Sequence, residues 1–146
     1  MELSYLSKSL GIGGALKAAP QDFLVEEIAP DGAIYELGRK YDFPDEPGGY
    51  TKFILQKKNW TTASAVSEIA KKINADERAF NIAGSKDKIS VSTQAVTVKG
   101  DRKHALAALS IRDISINGAW LVKERLRLGG LLGNRFTIRV RDCTAS

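Results

Sequence analysis

The sequence predicts an α+β fold, a largely antiparallel sheet with helices on one face. Short runs rich in β-branched and aromatic residues recur along the chain, separated by Gly, Pro and Asn turns. Only two stretches carry helical periodicity, and each is set between such runs. The resulting order is strands, helix, strands, helix, strands, with turns such as Pro30-Asp31-Gly32 and Asn117-Gly118 where hairpins would fold back.

Residues 1–14 read as an irregular lead or a short edge strand ending in Gly11-Ile12-Gly13-Gly14. These glycines fail the G-x-G-x-x-G spacing of a dinucleotide site, and no helical pattern follows them. Pro20-Gln21-Asp22 is a turn, and Phe23–Ile28 a strand mixing apolar and acidic residues. The turn signal at Ala29-Pro30-Asp31-Gly32 predicts that residues 33–37 return antiparallel. Residues 38–49, rich in Pro, Gly and acids, read as a mobile surface loop. Tyr50–Lys57 is a strand with Thr51, Phe53 and Leu55 on one side.

Thr61 or Thr62 can cap a helix running to about Asn74, with Ala63, Val66, Ile69, Ala70 and Ile73 as its buried stripe. Lys71 and Lys72 suit its C-terminal dipole. Residues 80–84 make a short strand ending at glycine, and a loop follows as far as Gln94. Residues 94–99 are again strand, residues 102–109 a second helix and residues 111–116 a strand closed by the Asn117-Gly118 turn. Leu126 and Leu128 alternate with Arg125 and Arg127; Phe136, Ile138 and Val140 alternate with Arg135, Arg139 and Arg141. Alternation predicts two strands, each with a cationic face, joined through residues 129–134.

Composition removes several classes of chemistry. One cysteine, Cys143, excludes an internal disulfide, and with the single His104 it leaves a Cys/His zinc site without ligands. His104 falls in a helix pattern far from any exposed-serine turn, which argues against a Ser-His-Asp triad. No apolar run approaches the ~20 residues of a membrane span, and the N-terminus lacks the pattern of a signal peptide, so a cytoplasmic location is expected. No cofactor motif is found.

The net charge of +5 hides a division. Residues 1–50 carry 4 Lys+Arg against 9 Asp+Glu, and residues 51–146 carry 18 against 8. Such asymmetry suits a face that binds a polyanion; a soluble basic protein without such a partner fits the count equally well. The segment most suggestive of chemistry is Ala83-Gly84-Ser85-Lys86-Asp87-Lys88, a glycine-opened loop that sets one carboxylate between two lysines. On spacing alone Asp87 is also an ordinary loop aspartate, Lys17 a surface lysine, Gly133-Asn134 a turn and Phe136 a core residue.

Four stretches together carry a family resemblance: Gly14-Ala15-Leu16-Lys17 leading into Pro20-Gln21-Asp22-Phe23; Ala83-Gly84-Ser85-Lys86-Asp87 through Thr93-Gln94; Leu126-Arg127-Leu128-Gly129; and Gly133-Asn134-Arg135-Phe136. In this order they resemble the TruD family of tRNA pseudouridine synthases. The resemblance implies Asp87 as the catalytic nucleophile, with Lys17, Lys86, Asn134 and Phe136 around the substrate. Lys88, Arg125, Arg127, Arg135, Arg139 and Arg141 would meet the RNA backbone. It further implies that a tRNA uridine, by analogy uridine 13 of the D arm, is isomerised without metal or cofactor. Gln21 and Ser90 depart from the glutamate and alanine common in the family. Family members are also longer, so residues 1–146 are expected to be the N-terminal portion of a TruD-like catalytic domain, without its inserted domain and C-terminal portion. Two rivals are a non-catalytic RNA-binding module of the same fold and a protein adaptor whose acidic and basic parts pair.

Overall fold

The computed structural model of the chain describes residues 22–138. Six strands and two helices form the α+β arrangement: β1 (Phe23–Ile28), β2 (Tyr50–Lys58), α1 (Thr62–Lys72), β3 (Phe80–Ile82), β4 (Val91–Lys99), α2 (Lys103–Ala107), β5 (Ile114–Val122) and β6 (Gly133–Ile138). The sheet order is β5-β2-β4-β1-β6, with β3 also on β4. Every pairing is antiparallel except β1 with β4, which is parallel. Because β2 occupies one edge of β4 along its whole length, β1 and β3 divide the other edge, β1 opposite residues 91–93 and β3 opposite residues 96–98.

One face of the sheet packs on the helices. Phe53, Leu55, Val96 and Val98 meet Ala65, Ile69 and Ile73 of α1 and Leu106 of α2 in the main core. Thr61 caps α1 by accepting the Ser64 N–H at 3.0 Å. The buried stripe is Thr62, Ala65, Val66, Ile69 and Ala70, continued by Ile73. Ala63, expected in it, is exposed because it lies one position off this i, i+3, i+4 row. The opposite face carries a smaller core of Ala29, Tyr35, Ile54, Ala95 and Trp120.

The chain between β1 and β2 covers that second face. Ile28 and Ile34 form only an isolated bridge, so the expected return strand at 33–37 does not develop. Residues 38–49 are anchored, contrary to the mobile loop expected of their composition. Gly38 N–H reaches Gln56 Oε1 at 2.8 Å, Tyr41 N–H reaches the Asn117 carbonyl at 2.7 Å, and Phe43 packs on Trp120. Asp45 Oδ1 accepts the Leu121 N–H at 2.9 Å and Glu46 Oε1 the Lys123 N–H at 3.2 Å, which satisfies donors along the outer edge of β5.

Several strand boundaries differ from the sequence reading; β3 stops at Ile82 and β5 begins only at Ile114. β4 begins at Val91, not Gln94, because residues 91–93 pair on both sides. Asn117-Gly118 is no turn: β5 runs through it, and the register against β2 shifts between Phe53 and Leu55, a bulge. Residues 123–132 form no strand; their backbone donors go elsewhere, Leu126 N–H to Thr97 Oγ1 and Gly129 N–H to the Ala83 carbonyl. The first of the two cationic strands is therefore a loop. Among the described residues no helix is long and apolar enough to cross a membrane.

Candidate active site

The loop from Ala83 to Ser90 leaves β3, crosses the helix-bearing face and enters β4. Its backbone is stapled at Gly84, Lys86 and Asp87. Gln94 Nε2 donates to the Gly84 carbonyl at 2.8 Å, and Gln94 Oε1 lies 2.9 Å from Thr62 Oγ1 at the start of α1. That hydroxyl accepts the Lys86 N–H at 2.8 Å. Ser90 Oγ donates to the Asp87 carbonyl at 2.8 Å. Lys57, on the inward side of β2, sends its ammonium under the loop to the carbonyls of Trp60 (2.7 Å), Asp87 (3.3 Å) and Lys86 (3.4 Å). Burial above all, then the Lys86 charge, pushes Lys57 down to about 8 against the opposing pull of Asp87. The Asp87 residue itself is exposed, so a carboxylate faces solvent from a backbone held on both sides.

Lys86 turns the other way. It is buried and pairs with buried Glu27 at 2.9 Å, each side chain 2% exposed. The other Glu27 oxygen accepts the Ala95 N–H at 3.0 Å, in the gap where β1 leaves the β4 edge and β3 has yet to begin. Lys86 therefore anchors the loop and presents no free ammonium to a substrate. The cation beneath Asp87 is Lys57, which the sequence reading missed. The signal was present: Lys57 continues the inward parity of Thr51, Phe53 and Leu55, as Glu27 continues that of Phe23 and Val25.

β6 brings Asn134 and Phe136 to the same face. Asn134 pairs with Glu27, and Phe136 with Val25, which pairs in turn with Ser92 of β4. Phe136 thus lies two strands, about 10 Å, from Ser92. The Phe136 ring is 58% exposed, which leaves a face open for stacking. Asn134 Oδ1 and Ser92 Oγ are buried without a hydrogen-bond partner. An orphaned acceptor and hydroxyl on this face leave polar capacity for the edge of a planar ligand.

The proposed backbone contacts separate. Lys88, Arg125 and Arg127 are exposed; the two arginines line a shallow groove with Phe80, Asn81 and Ile82 along β3. Arg135 is engaged internally, with Glu26 at 2.7 Å and Glu36 at 3.8 Å. Lys17, Arg139 and Arg141 lie outside the described residues. Among the described residues no three His, Cys, Asp or Glu side chains gather as a metal would require.

The family model described as tRNA pseudouridine synthase D (TruD) matches residues 2–146. The "Probable tRNA pseudouridine synthase D" of Methanococcus vannielii is 42% identical over 141 residues, 94% of this chain and 36% of that protein. The "Probable tRNA pseudouridine synthase D 1" of Methanocaldococcus jannaschii is 43% identical over 133 residues, 89% of this chain and 34% of that one. A solved Methanosarcina mazei structure carrying the tRNA pseudouridine synthase D (TruD) name superposes with a TM-score of 0.69 at 25% identity, over 87% of this chain and 26% of that one. The chain spans about a third of the length of these curated relatives.

Proposed function

The chain belongs to the tRNA pseudouridine synthase D (TruD) family, and from that premise we propose that it carries the nucleophile-bearing part of an enzyme converting a tRNA uridine to pseudouridine. Residues 1–146 are the N-terminal portion of the catalytic domain, working in the cytoplasm with the remainder that relatives carry as one chain. The target, by family analogy, is uridine 13 of the D arm.

The reaction breaks the bond from base nitrogen to ribose, turns the base and joins its C5 to the same ribose carbon. The proton lost from C5 is balanced by one gained at nitrogen, so the product is an isomer. Asp87 supplies the carboxylate that attacks the sugar or the base and later departs. The uridine must leave its stack to reach it. Phe136 offers an exposed ring for that base, and Asn134 an unpaired oxygen for its edge. Lys88, Arg125 and Arg127 hold the phosphates.

The observation that carries this reading is an exposed carboxylate on a loop whose every neighbouring carbonyl is tied down, a preorganised nucleophile. The test is Asp87→Asn in the protein as the cell makes it. It should bind tRNA with unchanged affinity and form no pseudouridine on single turnover. Normal turnover removes the assignment, and tRNA binding without product in the unaltered protein favours a non-catalytic RNA-binding module instead.

A further inference from the structure

We infer that Lys57 is a positioning residue for Asp87, its ammonium fixing the peptide units on both sides of it so that the carboxylate is presented in one orientation. The inference rests on Asp87 being the reacting group. Lys57 is 1% exposed. An ammonium withdrawn from water ordinarily pairs with a carboxylate, because the lost hydration is otherwise costly. Among the described residues Lys57 has no such partner within bonding distance: its donors meet three carbonyls, those of Trp60, Asp87 and Lys86. Glu27, the buried carboxylate behind the same loop, is taken up by Lys86 and the Ala95 N–H. A fold seeking only stability would do as well with an apolar side chain at this position. Two of the three carbonyls belong to the loop that carries Asp87, and one is Asp87's own. A compact head with three rotatable donors suits three converging oxygens, whereas the planar fork of arginine does not.

The charge on this clamp is set by what surrounds it. Lys86 faces it from the loop and disfavours its charge; Asp87, on the same loop, favours it. Lys58 and Asp113 line the cavity beyond the end of β2 with it, and α1 contributes only the neutral Thr62 at the loop. With burial added, Lys57 gives up its proton at about 8. Above that the head keeps two donors for three carbonyls, and the positive charge beneath Asp87 is gone.

The test uses the protein as the cell makes it, acting on unmodified tRNA. The unaltered protein should lose kcat as pH rises past about 8; Lys57→Met should lower kcat by roughly 10- to 100-fold, leave KM for tRNA within about twofold, and lack that alkaline fall. Lys57→Arg, which keeps the charge without the geometry, should recover part of kcat. Wild-type kcat in Lys57→Met overturns the inference, and so does a lowered kcat with an unchanged pH profile, the mark of a merely structural role. Should Lys57→Met fail to fold, the unaltered protein still decides: kcat flat to about pH 9.5 overturns it. Asp87→Asn run alongside separates the two readings, since normal turnover there defeats the nucleophile assignment whatever Lys57 does.

Discussion

Glu27 is the buried charge on which both the sheet and the loop depend. One oxygen fills the hydrogen-bonding gap at Ala95, and the other holds Lys86. Removing one member of a buried pair strands the other, so Glu27→Ala should cost roughly 3–5 kcal/mol in urea unfolding. Glu27→Leu combined with Lys86→Met should lose distinctly less than the sum of the two single changes, since no charge is then left unpaired. Lys57 behaves differently. Its folded pKa of about 8 lies below the ordinary 10.5, so between these values the unfolded chain binds more protons. This group therefore makes the fold more stable as pH rises through that window, the opposite of its expected effect on kcat. Melting at pH 8 and 10 separates loss of activity from loss of fold. Strand parity made both inward charges legible, for Glu27 and Lys57 sit where apolar residues belong. Which partner each takes was not legible, because Glu27 meets Lys86 across 59 residues of sequence.

Elements show where pattern suffices and where it fails. α1 could be read from its cap and its 3.6-residue period because both are local. The alternation of Leu126 and Leu128 with two arginines has the period of a strand, yet a strand also needs a neighbour to bond, and here the donors go to Thr97 and to the Ala83 carbonyl. Asn117-Gly118 has the composition of a hairpin turn, and only its setting reveals a bulge. Gly118 has φ +152°, and a Cβ built there would stand 2.2 Å from the Tyr41 carbonyl oxygen. The Tyr41 N–H bonds the Asn117 carbonyl at 2.7 Å, and the Asn117 side chain donates to Gln56 Oε1 at 2.9 Å, so the bulge also fastens the covering loop. Gly118→Ala must push that loop off the sheet. It should cost roughly 2–3 kcal/mol in urea unfolding and expose the Trp120 indole to solvent quenchers; a variant of wild-type stability and fluorescence would contradict the bulge.

Charge is the property that belongs to the molecule as a whole. Four acids of the first third pair with cations within the chain: Glu26 holds Arg135 with Glu36 nearby, Glu27 holds Lys86, and Asp45 holds Lys103 at 2.6 Å. Each of these pairs cancels a cation of the later chain, so the number of basic residues overstates what a polyanion would meet. The exposed cations near the Asp87 loop, Lys88, Arg125 and Arg127, are the ones left for phosphate. Removing any one phosphate-binding cation should make the plot of log affinity for tRNA against log salt shallower by about 0.7–0.9. Replacing all three by glutamine should therefore reduce the slope by roughly 2–3 while leaving the melting temperature nearly unchanged. Arg135→Gln should do the reverse, with the slope unchanged and a lower melting temperature, because buried Glu26 is then deprived of its cation. A slope that ignores Lys88, Arg125 and Arg127 alike would show that these cations do not meet the polyanion, and their assignment to phosphate would fail.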